Sequence, residues 1–196
     1  MSQIKLKHSG GNSVIIAAPD SNPASDRTLK LPSDGDGTIL TTNSATGKIL
    51  QVQSTTKTDF ASQALTGSSN FFDISGMSVA ITPSNTNNKI FVMFTVAVAC
   101  NNNFQNNFIQ LRRDSTDIAK GTAGGTVNAS FYDKTRDNFS PENISVHFLD
   151  SPSTTSAVTY KVRWSGENGD TYYLNRNSSN TNEGMISSIT VMEVAA

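Results

Sequence analysis

Outside its serines and threonines, the chain has few groups able to ligate a metal or act as a nucleophile: two histidines, one cysteine and a thin set of spaced carboxylates. Metal sites need clustered His, Cys or carboxylate ligands. His8 and His147 stand far apart, and neither has a second histidine at HxH or HxxxH spacing. His147 alternates with Val146 and Phe148, so it is expected on the outer face of a strand or at an interface. Asp34 and Asp36 form an Asp-x-Asp pair within Ser33-Asp34-Gly35-Asp36-Gly37. That segment lacks the spaced acidic set and closing Glu of a calcium loop, and reads as a turn. Glycoside hydrolysis needs two carboxylates at a fixed separation. The candidates Asp133, Asp137 and Glu142 fall in a long loop, a poor rigid scaffold. No Gly-x-Ser-x-Gly elbow presents a serine. The expectation is a protein that is not an enzyme, with no catalytic residues, no metal and no cofactor.

Recognition chemistry fits the composition better. Amides, hydroxyls and aromatic faces are the groups that bind sugar surfaces. They gather at Asn101, Asn102, Asn103 and Phe104, at Tyr132 and Asp133, and at Tyr172, Asn175, Asn177 and Asn180. These are the candidate receptor-facing residues. The plainer reading is that amide-rich loops only solubilise a surface.

Those loops need a scaffold, and composition says which kind. Only 36% of residues are hydrophobic and 16% charged. Both values lie below the globular average, and Ser, Thr, Asn and Gly fill the gap. Disordered chains share the low apolar content but usually carry a high net charge; here it is −1. A polar, uncharged make-up suits β-rich surface proteins. The near-zero charge argues against nucleic acid and against a membrane surface as partners. The densest basic run, Arg112-Arg113, precedes Asp114 and reads as a solvated strand end. Cys100 closes the run Val96-Ala97-Val98-Ala99 and reads as a small buried hydrophobe. No window holds 18 consecutive apolar residues, and Met1–His8 has no apolar core of a signal peptide. A surface-type protein without an export signal fits a particle assembled in a bacterial cytoplasm and released by lysis.

The chain divides unevenly. Residues 58–196 hold every Phe and Tyr and the one Trp. Residues 1–57 offer only short alternating pieces, at 3–7, 13–18, 27–32, 38–40 and 48–52. Two or three apolar residues per piece cannot offset ordering costs of roughly 1–2 kcal/mol per residue. Residues 1–57 are therefore expected to be an attachment or oligomerising segment, ordered by other copies or by a docking partner. Residues 58–196 read as an antiparallel, jelly-roll-like β-sandwich, so the fold class is all-β. Its strands are expected near 78–82, 89–100, 108–113, 126–132, 144–149, 158–164, 171–174 and 185–194. The last of these is expected inside a sheet, since terminal segments fray unless tied down. The run 89–100 is apolar on both faces. Ile90, Val92, Phe94, Val96 and Val98 line one side, Phe91, Met93, Ala97 and Ala99 the other. An antiparallel sheet normally turns one face to water. The second apolar face therefore marks Phe91, Met93, Ala97 and Ala99 as a candidate trimer interface.

Several phrases resemble fibre-like virion proteins of tailed bacteriophages, especially those of aquatic hosts. Ile4-Lys5-Leu6-Lys7-His8-Ser9-Gly10-Gly11-Asn12 with Arg27-Thr28-Leu29-Lys30-Leu31-Pro32 is similar to their N-terminal stretch, and Gly47-Lys48-Ile49-Leu50-Gln51-Val52 to the junction before their heads. Ile74–Pro83 and Asn88–Val92 resemble the start of the head; Leu149–Thr155, Val158–Val162 and Ile189–Val194 resemble its last strands. The resemblance implies a homotrimeric virion component with a head of the tumour-necrosis-factor and C1q class. It further implies a short fibre or spike, docked to other virion proteins through residues 1–57 and facing a host surface glycan or protein. Related modules also serve as capsid decorations or head fibres, and some spikes degrade polysaccharide.

Overall fold

Strand follows strand, with no helix among the described residues. The computed structural model describes residues 3–7, 9–11, 13–17, 48–122, 127–134 and 140–196. Two compact units divide the chain, Met1–Ser44 and Ala45–Ala196. In the first, β1 (Gln3–Lys7) pairs antiparallel with β2 (Ser13–Ala17), from Gln3 opposite Ala17 to Lys7 opposite Ser13. Gly11 in the connecting turn has φ 100°, a conformation that costs glycine little. A lone hairpin of this kind is marginal in water. The expected strands at 27–32 and 38–40, the Asp34–Asp36 turn and His8 lie outside the described residues.

The second unit contains β3 (Ile49–Lys57), β4 (Ala61–Ala64), β5 (Phe72–Ile81), β6 (Lys89–Cys100), β7 (Asn106–Arg113) and β8 (Thr116–Ile118). It continues with β9 (Phe131–Lys134), β10 (Glu142–Asp150), β11 (Val158–Gly166), β12 (Thr171–Leu174) and β13 (Ser187–Val194). Every pairing is antiparallel. The first sheet is organised by β6. Along one side it meets β10; along the other it meets β13 over its first half and β12 near its end. Beyond these, β3 flanks β13 and β4 flanks β12. In the second sheet β11 lies between β5 and β7, and β7 also pairs with β8 and β9. The two sheets pack as a sandwich, as the strand pattern predicts.

The core lies between the sheets. Ile90, Val92, Phe94, Val96 and Val98 of β6 are buried there, as the alternation predicts. So are Val158, Tyr160, Val162 and Trp164 of β11, and Ile189 and Val191 of β13. Each aliphatic side chain buried in this way contributes about 1.5–3 kcal/mol. Cys100 is buried and unpaired among them. As expected of the last strand, β13 sits inside its sheet, between β3 and β6.

Three expectations need revision. Residues 49–57 belong to the second unit, because β3 pairs with β13 along its length. Its inward positions, Gln51, Gln53, Thr55 and Lys57, are polar, so no apolar alternation marks it as part of a core. In place of the strand expected at 126–132, β9 begins only at Phe131. Finally, Arg112 and Arg113 end β7 but are not simply solvated; both are ion-paired and partly buried.

Candidate functional site

The outward face of the β6 sheet is set by alternation and register. One row crosses four strands: Leu149 on β10, Phe91 on β6, Met192 on β13 and Val52 on β3. The next row is His147, Met93, Thr190 and Ser54; the one after is Ser145, Thr95, Ser188 and Thr56. The face therefore runs from an apolar band to a hydroxyl band. Val52, Met93 and Leu149 are 51%, 41% and 51% exposed. Hydroxyls pair across strands, Thr95 with Ser145 and Ser54 with Thr190, each at 2.9 Å. The His147 ring lies 6.1 Å from that of Phe91 and is the one titratable side chain in these rows.

The outward face of the β11 sheet is built from charge. Asp73 on β5 meets Lys161 and Arg163 of β11, both at 3.1 Å. Arg163 continues to Asp117 of β8 at 3.3 Å, and Asp117 to Arg112 of β7 at 3.6 Å. Arg163 also donates to Gln110 at 3.0 Å and lies 5.6 Å from the Phe71 ring centroid.

Of the four proposed interface residues, two stay on the surface and two do not. Phe91 and Met93 belong to the apolar band. Ala97 and Ala99 are covered by their own chain, at 0% and 1% exposure. Beside them β12 and the segment after it run along β6: Asn175 N–H donates to the Ala97 carbonyl at 2.9 Å, and Ala97 N–H to Ser187 Oγ at 3.1 Å. Ala97 and Ala99 are thus buried where β6 pairs with the chain's own neighbouring segment.

The proposed receptor-facing residues separate in the same way. Tyr172 and Asn175 are fully buried. The Tyr172 ring meets the Trp164 edge at 6.3 Å, and its hydroxyl donates to the Asn106 carbonyl. Gly166 makes room for it, since a Cβ there would lie 2.8 Å from that hydroxyl. Asn175, at φ 63°, donates its amide to the carbonyls of Lys57 and Asp59 and accepts from Ser187 Oγ. It fastens β3, β6 and β13 together. Asn101 Oδ1 accepts Thr171 N–H at 2.7 Å, and Asn102 donates to Asp170 at 2.6 Å. Asn177 Oδ1 accepts the N–H groups of Ser179 and Asn180, an Asx turn that holds its own loop. Asn103, Phe104, Tyr132 and Asp133 are exposed, Phe104 at 69%.

Tyr132 carries a feature the sequence reading did not reach. Its ring stacks on Phe108 of β7, with centroids 4.9 Å apart and 27° between planes. Its hydroxyl donates to Asn106 Oδ1 at 2.8 Å. Beside the stacked rings opens a cavity of about 260 Å³, with Gly121, Val127 and Ala129 forming its other walls and Thr122 and Asn128 its polar edge. The signal available in the sequence was Phe108 itself, an aromatic on the polar face of a strand whose other face is Ile109 and Leu111.

A second cavity, about 480 Å³, opens between the sheets and is lined by Phe131, Asp133, Ser140, Pro141, Glu142, Asn143 and Ile144. Two of the spaced carboxylates, Asp133 and Glu142, therefore share one opening; Asp137 lies outside the described residues. Among the described residues no three His, Cys, Asp or Glu side chains are grouped to hold a metal ion. Burial pushes the Cys100 thiol up to about 11, so it is a poor nucleophile at neutral pH. Inside the sandwich, Asp150 Oδ2 accepts from Arg113 and from the Tyr160 hydroxyl, both at 2.7 Å. Burial and then the Asp150 carboxylate push the Tyr160 phenol well above its ordinary value. This trio ties β10 of one sheet to β7 and β11 of the other.

Glu193 is the one fully buried acid on β13. It accepts from Gln51 at 2.6 Å, Ser84 N–H at 2.6 Å, Ser84 Oγ at 2.8 Å and Asn88 at 2.7 Å. Burial alone would raise its pKa; the bonds from Asn88, Gln51 and Ser84 outweigh that and hold the carboxyl down at about 2. No protein-family model matches the chain, and no curated protein matches it either.

Proposed function

We propose that the chain is a homotrimeric structural component of a tailed-bacteriophage virion, a short fibre or spike whose sandwich head faces the host surface. The observation that carries the oligomeric part is the apolar band Leu149–Phe91–Met192–Val52, with Met93 beside it; its charged neighbour on β6, Lys89, donates to Ser151 at 2.7 Å. A contiguous, partly exposed apolar strip of this kind supports an interaction surface. Its hydroxyl border can pair with the same border of another copy without burying a charge. The virion part rests on the ordered set of phrases that resemble phage fibre-like proteins, from Ile4 to Val194. Residues 1–57 would supply attachment to the particle, although β3 within them also completes the head.

Two measurements test this reading. Light scattering on the purified protein is expected to give three times the mass of one chain; a stable monomer overturns the trimer. Immunogold labelling of intact particles is expected to place the protein at the tail. Label over the capsid instead would make it a decoration protein, and unlabelled particles would remove it from the virion.

A further inference from the structure

We propose that the Phe108–Tyr132 stack and its cavity form a binding subsite for one neutral sugar ring of a surface glycan. This deepens the host-facing reading above and rests on it for the biological source of the glycan, but not for the binding chemistry.

Four observations lead there. First, the aromatic surface is held outward. Tyr132 is 53% exposed even though one face of its ring is covered by Phe108. The other face is left to solvent, at the cost of apolar area that folding normally hides. Second, its position is fixed from within. The Tyr132 hydroxyl is tied to Asn106 Oδ1, and the Asn106 carbonyl accepts the hydroxyl of the buried Tyr172. Asn106 is thus a positioning residue that links the exposed ring to the core. A ring held in one orientation loses little freedom when a ligand stacks on it.

Third, the side chains lining the cavity are all uncharged. An anionic or cationic ligand would lose hydration there without a counter-charge. Fourth, size and shape select among neutral ligands. At about 260 Å³ the cavity lies below the usual range of about 300–1,000 Å³ for small-molecule sites. It suits one ring, and because it is open the rest of a chain can leave it. A pyranose has an apolar C–H face for the Tyr132 ring and equatorial hydroxyls for the Thr122 and Asn128 edge. A purely apolar ligand would leave that edge unused.

The test is saturation-transfer NMR on the full chain. The probes are methyl glycosides of glucose, galactose, mannose and N-acetylglucosamine, added singly. Transfer to the ring protons of at least one sugar is expected. Tyr132→Ala is expected to weaken that binding about tenfold, because the stacking face is lost. Tyr132→Phe keeps the ring and is expected to retain most of it. Phe60→Ala, which removes an exposed aromatic between β3 and β4, is expected to leave it unchanged. Circular dichroism confirms that each variant folds. No transfer from any of the four sugars, or transfer that survives Tyr132→Ala, overturns the subsite; so does loss on Phe60→Ala alone. The two proposals fail separately. A trimer found on the virion that binds none of the sugars loses only the subsite. A monomer foreign to the virion that binds a sugar through Tyr132 loses only the virion assignment.

Discussion

On the β11 sheet, outward charges meet partners: Asp73 and Asp117 are threaded between Lys161, Arg163 and Arg112. On the β6 sheet, the corresponding rows carry methyls, thioethers, rings and hydroxyls, with His147 as their titratable member. Both faces come from the same strand alternation and enclose one core. They differ in what they demand of their surroundings. Ion pairs at a surface are comfortable in water and gain little from being covered. An apolar band with a hydroxyl border is the reverse: it exposes area that association would hide. One face exposes apolar area, and the other carries charges that are paired at the surface.

The contrast can be broken most directly with Met93→Glu. A carboxylate buried without a partner costs about 4 kcal/mol or more, roughly a thousandfold in association. The variant is expected to run as a monomer in light scattering with an unchanged far-UV spectrum. Lys161→Glu on the opposite face is expected to keep the parent mass. If the two variants behave alike, the faces are not functionally distinct.

Next in size is the effect of pH, which acts through Glu193 at the rim of the β6 sheet. Its carboxyl is held at about 2 against an ordinary value of 4.5. The folded pKa is depressed, so this contribution is complete above the unfolded value and is lost as pH falls from about 4.5 toward 2. It amounts to on the order of 3 kcal/mol. Glu193→Gln is expected to lower the urea midpoint at pH 7 and to flatten the acid slope across that window. A variant that keeps the parent's acid slope would show that other carboxyls control it.

Salt should act on the other face, and more weakly. Asp117→Asn removes the carboxylate shared by Arg112 and Arg163 and is expected to cost less than about 1 kcal/mol at low ionic strength. The difference should shrink as salt is raised through about 0.15 M, where screening reaches about 8 Å. A cost that persists in high salt would mean that Asp117 acts through packing. Smallest is Thr95→Val, which removes the hydroxyl bonded to Ser145; about 0.2–1 kcal/mol is expected in thermal melts.

Much of the sandwich was legible where one face of a strand is apolar. The bounds of β6 and β12 coincide with the apolar runs that predict them, and the inward residues of β11 are the ones its alternation selects. What failed to show was polar on its inner side. β3 turns Gln51 and Thr55 inward, and Gln51 serves the buried Glu193, so nothing in its pattern points to a core. The candidate site was legible as chemistry but not as place. Tyr172 and Asn175 have the composition of a binding loop and are used internally, one as a core ring and one as a polar fastener. Amides do both jobs, and sequence spacing does not say which. Tyr132 was found without its partner, because Phe108 reaches it through the pairing of β7 with β9, far along the chain.

The polar inner side of β3 has a further meaning in time. Its pairing partner is β13, with Lys57 opposite Ser187 and Val194 opposite Ile49, so nearly the whole unit must be synthesised between them. Contacts so distant form slowly. During that interval β3 is an open strand with backbone groups unpaired, the kind of edge that recruits other nascent chains. Lys57, an inward-pointing charge at one end of β3, is the kind of residue that blunts such an edge. The strand whose polar inner side hides it from a reader of the sequence is also the one that waits for the last strand of the unit.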